Sequence, residues 1–215
     1  MRDWLPLAGL PPAARWTVLG VGALLVVLLG AVAVWAILQH RDASARQGFA
    51  AASTAYRQAM AATGETTPLA EAEQSLKQFL KDHARSASAA QVWYFLGNVE
   101  YRRGAHDAAV TAFAEAARRD TGSIGVLSRL GIGYAWEAKK DPARALETYE
   151  EALKGRGPKE FLYAELLLGV ARAQEQLART PAAIETYRRL LKDVPDSPRA
   201  EEVRARLAIL GAAAA

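Results

Sequence analysis

The sequence predicts an all-α protein: a single N-terminal transmembrane helix followed by an α-solenoid of paired helices. Three observations carry this. A short pattern is written four times, a small residue, a large apolar residue one turn on and another apolar residue a turn later. It reads Ala72/Leu76/Phe79, Ala109/Phe113/Ala116, Ala145/Tyr149/Ala152 and Ala183/Tyr187/Leu190. The four alanines lie roughly 36–38 residues apart, a period that suits stacked helix pairs, none of which buries its apolar face alone. Finally, no charged residue interrupts the apolar run from Thr17 to Leu38.

That run is the first element. About 22 residues at about 1.5 Å each reach about 33 Å, enough to cross a hydrocarbon core of about 30 Å. Trp16 and Trp35 stand where interfacial aromatics are expected, and Arg15, His40 and Arg41 put charge in the headgroup layers. Residues 1–16 then form a short tail and 17–38 the membrane helix. A cleaved signal peptide is the competing reading, because Ala31-Val32-Ala33 has the small residues of a cleavage site. The run continues past that site to Leu38 and exceeds the usual 7 to 15 or so residues of a signal core, which favours a retained anchor. Charge discriminates orientation little, with Arg2 and Arg15 against Asp3 on one side and Arg41, Asp42 and Arg46 on the other. A short tail before a long folded region reads as tail inside and domain translocated. In a bacterium this is a single-pass inner-membrane protein with its C-terminal domain in the periplasm. Glycines 20, 22 and 30 form no G-x-x-x-G dimer motif.

The helical domain is set at residues 41–210, about four helix pairs and a cap. Phe49, Ala52, Tyr56 and Met60 recur at helical spacing with no break before Gly64, so the membrane helix is expected to run on into the first soluble helix. The second unit is the fullest: Trp93-Tyr94-Phe95-Leu96-Gly97, then Tyr101, Gly104, Ala109, Phe113 and Ala116. The third carries Leu127, Leu130, Gly131, Tyr134, Ala145, Tyr149 and Ala152, and the fourth Leu168, Gly169, Ala183, Tyr187, Leu190 and Pro195. In both, the leucine-to-alanine distance is about two residues longer than in the second. The extra length is expected in the turns near Asp141-Pro142 and Thr180-Pro181, proline being favoured at a helix's first turn. Residues 198–210, with Val203, Leu207 and Leu210 on one face, read as the capping helix that an array needs.

The second unit resembles the tetratricopeptide repeat, W-x2-L-G-x2-Y…A-x3-F, with Tyr101 one residue late. The whole layout resembles the ancillary SecYEG translocon subunit family: a short tail, one membrane helix, an alanine-rich helix (Ala43-Ser44-Ala45-Arg46 to Tyr56-Arg57-Gln58-Ala59), then degenerate repeats. The resemblance implies a periplasmic domain that associates with the translocon and periplasmic chaperones and assists newly exported proteins. That family has a longer, more acidic tail than Met1 to Trp16. The stretch from Tyr187 to Glu202 also resembles repeats of outer-membrane assembly lipoproteins and cell-envelope coordinator proteins.

In tetratricopeptide arrays the first helix of each pair lines the concave face. Carrying that register over position by position gives a peptide groove of Gln91, Tyr94, Asn98, Tyr101 and Arg102, then Ser128, Ile132 and Trp136, then Tyr163, Leu166, Val170 and Gln174. Aromatic and nearly neutral, it suits extended or partly unfolded peptides. The clamp that grips acidic chaperone tails is matched at Asn98 alone and is not expected. Packing of Tyr94, Tyr101 and Trp136 between helices stays open as the other reading.

Composition excludes much else. With no cysteine there is no disulfide, thiolate metal site, cysteine nucleophile or lipid-modified cysteine. The 27 basic and 23 acidic residues are interleaved along helical segments, leaving no basic stripe and no nucleic-acid motif. His40, His83 and His106 are dispersed; Gly131-Ile132-Gly133 lacks the preceding strand and third glycine of a dinucleotide loop, and Gly155-Arg156-Gly157-Pro158 reads as a turn. The sequence therefore predicts a non-enzyme with no cofactor or metal, embedded in a membrane and binding proteins or peptides. A client-holding adaptor beside the translocon is the first reading of its role. A structural assembly factor for an envelope machine, for secretion, pili or cytochrome maturation, is the second.

Overall fold

A computed structural model describes residues 11–62 and 66–212. The first ten residues of the expected tail, with Arg2 and Asp3, lie outside the described residues, as does Gly64. The described residues form helices and no strand, in two compact units that meet between Gln47 and Gly48.

The helical part of the first unit belongs to α1 (Pro12–Ala61). It opens on proline, whose missing N–H costs nothing at a helix's first position. Its large apolar side chains from Leu19 to Ile37 are all exposed, between 52% at Leu19 and 69% at Val26 and Leu29. Trp16 and Trp35 are exposed as well, at 76% and 62%. This N-terminal helix is long and apolar enough to cross a membrane.

The second unit takes the last turns of α1 and continues through α2 (Thr67–Asp82), α3 (Ala89–Arg102), α4 (His106–Arg119), α5 (Ser123–Ala138), α6 (Pro142–Leu153), α7 (Tyr163–Gln176), α8 (Thr180–Asp193) and α9 (Ala200–Ile209). From α2 on, each helix packs against the next; in addition α3 lies against α5 and α5 against α7. No comparable packing joins the even-numbered helices among the described residues. The odd-numbered row is therefore the more tightly spaced, which makes it the inner side of the stack.

The repeated pattern is the core. Ala72, Ala109, Ala145 and Ala183 are fully buried, and Leu76, Phe113, Tyr149 and Tyr187 are at most 2% exposed. Each such large side chain contributes roughly 1.5–3 kcal/mol by leaving water. Glycines make the room for them. A methyl group on Gly131 would stand 2.7 Å from the Phe113 ring, and one on Gly169 would stand 2.8 Å from Tyr149. Gly97 closes the other side of Phe113 and Gly133 the other side of Tyr149. Phe113 thus sits between α3 and α5, and Tyr149 between α5 and α7, approaches that glycine permits.

The turns correct one expectation. The extra length of the third and fourth units does not lie in the turns, since 103–105, 139–141 and 177–179 are equally short. It lies in α5 and α7, which run further past Leu130 and Leu168 than α3 runs past Leu96. The reason is a fixed helix ending. Ala105 N–H donates to the Glu100 carbonyl, Asp141 N–H to that of Trp136 and Arg179 N–H to that of Gln174. A left-handed residue precedes each donor: Gly104, Lys140 and Ala178, at φ 77°, 59° and 56°. This closure satisfies the last carbonyls of the helix, and it recurs after α9 at Gly211, where Ala212 N–H donates to Leu207. The turn is the invariant, so length is absorbed upstream. Asp141 also caps α6, its carboxylate accepting from Arg144 N–H at 3.1 Å.

Candidate functional site

The residues assigned to a groove separate by depth. Ser128, Leu166, Tyr163 and Val170 are buried, at 0%, 0%, 2% and 5% exposure, and offer no surface to a ligand. Helix α7 packs against α5, α6 and α8, and its three positions lie on packed faces. Leu166 and Val170 join Val126, Leu130 and Ala173 in the core. The Tyr163 hydroxyl donates to Asp193 at 2.6 Å and accepts from Arg189 at 2.7 Å. Ser128 donates to the Ile124 carbonyl within its own helix.

Others are tied to neighbours. Asn98 donates to the Tyr56 hydroxyl at 3.3 Å, and Tyr56 stacks on Phe95 with ring centroids 4.1 Å apart. Arg102 donates to the carbonyls of Ala59, Met60 and Ala62 at 2.9–3.0 Å, closing the C-terminus of α1. Gln174 accepts from Thr186 at 2.8 Å. Those three positions hold the stack together. Gln91, Tyr94, Ile132 and Trp136 are half-buried, and Tyr101 is 36% exposed. Tyr94 leans on Phe113, Tyr101 on His106, and Trp136 lies under the cations of Lys139 and Arg144, 4.6 and 4.5 Å from its ring. The two readings of these aromatics therefore share them: each packs one face and keeps the rest at the surface.

The sequence reading missed a cavity of about 530 Å³ between α7, α8 and α9. Leu168, Arg172, Glu175 and Gln176 form its α7 wall, Tyr187 its floor, and Glu202, Ala205, Arg206 and Ile209 its α9 wall. Its charges are organised. The Tyr187 hydroxyl donates to Glu175 at 2.5 Å, and Arg206 bonds the same carboxylate at 2.7–2.8 Å. Arg172 reaches back to Glu137 on α5 at 3.0 Å. Burial raises the titration of Tyr187, and its bond to Glu175 adds to this. At Glu175 burial pushes upward too, but the bonds from Arg206 and Tyr187 outweigh it and hold the carboxyl below its ordinary range. No motif marks this place, because Glu175 and Arg206 stand 31 residues apart and meet through the packing of α8 and α9.

Among the described residues no three or more histidines or carboxylates gather where a metal could bind. Residues 69–124 and 137–207 match family models of the tetratricopeptide repeat. No curated protein matches the chain.

Proposed function

We propose, from the premise that the chain is built of tetratricopeptide repeats, that it is a membrane-anchored adaptor that holds protein or peptide partners. On this reading α1 crosses the bilayer through residues 17–38, and residues 41–210 carry the binding surface. The observation that carries it is the pairing of an uncovered apolar helix, Leu19 to Ile37, with repeats whose general use is to hold other chains. Half-exposed Tyr94, Tyr101 and Trp136 supply the contact area on the inner row of helices. The adaptor needs no catalytic residue and no cofactor. Its site is the bacterial inner membrane with the repeats in the periplasm, beside the Sec translocon and periplasmic chaperones, as the resemblance in layout implies.

Photo-crosslinking groups at Tyr94 and Trp136 test this, followed by gentle detergent extraction and mass spectrometry of the captured chains. Many exported polypeptides with translocon subunits are the expected result. One stoichiometric partner would favour the assembly-factor role instead, and no captured protein at either position would refute an adaptor. A reporter enzyme active in the periplasm alone, fused at the C-terminus, reads the orientation.

A further inference from the structure

We propose that the loop between α6 and α7, residues 154–162, docks on a lipid surface that carries anionic headgroups; this rests on the membrane anchoring of the proposed function and not on its peptide groove. The loop is the longest connection between the helices, and its backbone is tied down. Arg156 N–H donates to the Leu153 carbonyl at 3.0 Å, Glu160 N–H to that of Gly157 at 2.9 Å and Tyr163 N–H to that of Glu160 at 3.1 Å. Leu162 has a φ of 61°, a left-handed backbone that bulky side chains avoid. The reversal there seats the Leu162 side chain against the cluster of Val126, Leu130 and Tyr149 and leaves Phe161 48% exposed. A strained backbone thus maintains an uncovered aromatic ring.

Charge and chain position select the occupant. Lys154 and Lys159, on either side of the turn that leads to the ring, are exposed and form no ion pair among the described residues. Arg156 donates to the Ala152 carbonyl at 2.9 Å and lies 3.8 Å from Glu160, so the two lysines are the loop's unmatched charges; Glu150 and Glu151 stand a turn back on α6. The loop lies on a definite edge of the repeats. A methyl group on Gly48 would stand 3.2 Å from Phe79 and 3.3 Å from His83, at the end of α2. Helices joined by short turns run in opposite directions, so α2, α4, α6 and α8 all end on the edge where Gly48 lies, and Arg119 at the end of α4 donates to the Ala84 carbonyl there at 3.0 Å. Lys81, Arg85 and Lys192 add cations to this edge against Asp82 and Asp196. Gly48 follows Leu38 by about ten residues, at most about 35 Å of chain, so the proposed span keeps a bilayer within reach of it. One ring and two lysines would hold a vesicle weakly from solution, but a tether makes the contact intramolecular, and a weak patch then suffices. An anionic bilayer surface offers phosphates to the lysines and the acyl boundary to the ring.

The experiment uses the full-length protein in vesicles of phosphatidylcholine alone or mixed with phosphatidylglycerol, with nitroxide-labelled headgroups as quencher. Gly157→Cys, which has open space around it, carries a nitrobenzoxadiazole fluorophore; Arg179→Cys, in a turn on the opposite edge, carries it as the control. With phosphatidylglycerol the label at 157 is expected to be quenched and that at 179 not, and the extent of quenching gives the ratio of docked to undocked loop. Lys154→Ser and Lys159→Ser are each expected to lower that ratio about fivefold, and Phe161→Ser about tenfold or more, whereas Phe161→Leu keeps most of it. The comparison of lipids needs no variant of the loop's lysines or ring, which covers the case in which one of these misfolds. Quenching that is absent, equal at 157 and 179, or unchanged without phosphatidylglycerol overturns the proposal. So does a blue shift of the label without quenching, since a protein surface, a second copy included, would then cover the loop. Carbonate washing of the same vesicles separates the two readings: a protein that resists it without quenching loses the docking loop and keeps the anchor, and one that is extracted and unquenched loses both.

Discussion

The apolar stretch of α1 and the repeats that follow it solve the same problem by opposite means. Twelve large apolar side chains between Leu19 and Ile37 are more than half exposed, while Ala52 and Ala59, further along the same helix, are fully buried. Backbone hydrogen bonding is satisfied locally in both stretches, so what separates them is who supplies the apolar partner. For the repeats the chain supplies it: rings seated between glycines, and a helix end closed by Arg102. The large side chains from Leu19 to Ile37 are left exposed. At roughly 1.5–3 kcal/mol per large side chain, the uncovered surface represents on the order of 20 kcal/mol, and the bilayer span proposed above would cover it, the helix being long and apolar enough.

The largest effect belongs to that stretch. Replacing Leu25 and Leu29 together with arginine costs about 5–7 kcal/mol on insertion scales. The double variant should be extracted by carbonate while its helical circular dichroism persists; retention in the membrane pellet would contradict the assignment. Arg102→Ala acts on the other side of the comparison. Losing three bonds to the end of α1 should cost about 1–3 kcal/mol, lowering the melting temperature of the repeats and leaving carbonate resistance intact.

Acid sharpens the contrast. The bonds from Arg206 and Tyr187 hold Glu175 low against the upward push of burial, and the bond from Tyr163 does most to hold Asp193 low. A carboxyl depressed in the folded state stabilises fully above its unfolded value of about 4 and loses that contribution as pH falls through its folded value. Melting temperatures should therefore be flat near neutrality and drop below about pH 4, with a shallower drop in Glu175→Gln. Carbonate-free membrane association, which involves no titrating group between Leu19 and Ile37, should not change over the same range. The smallest effect is at a turn. Ala178 is left-handed where Gly104 and Gly211 occupy the equivalent place, so Ala178→Gly should raise stability by up to about 1 kcal/mol; a loss on thermal melting would mean that the alanine methyl packs usefully.

The fold was legible because its determinants are local and repeated. Alanine at one position and an aromatic or leucine one turn later specify which face is buried, and the glycines of α3, α5 and α7 mark where a ring must fit. The helix lengths were less legible, because the left-handed turn closing each first helix is carried by Gly104 in one repeat and by Lys140 and Ala178 in the next two, and neither lysine nor alanine announces such a turn. The groove was legible in part. A transferred register does not say how deep each position lies: Tyr94, Ile132 and Trp136 reach the surface, whereas Ser128 on α5 and Leu166 and Val170 on α7 are buried. The α7–α9 cleft left no trace in the sequence, since an unfilled gap is a property of how helices meet and not of any residue.

The natural absence of cysteine permits a direct test of how α1 divides. Single cysteines at Val26, Leu29, Arg57 and Gln58, in the full chain reconstituted into vesicles, are treated with a water-soluble maleimide with both compartments accessible to it. The division predicts that the thiols at 57 and 58 react rapidly and those at 26 and 29 do not until detergent dissolves the bilayer. Equal rates at all four positions in intact vesicles would contradict it.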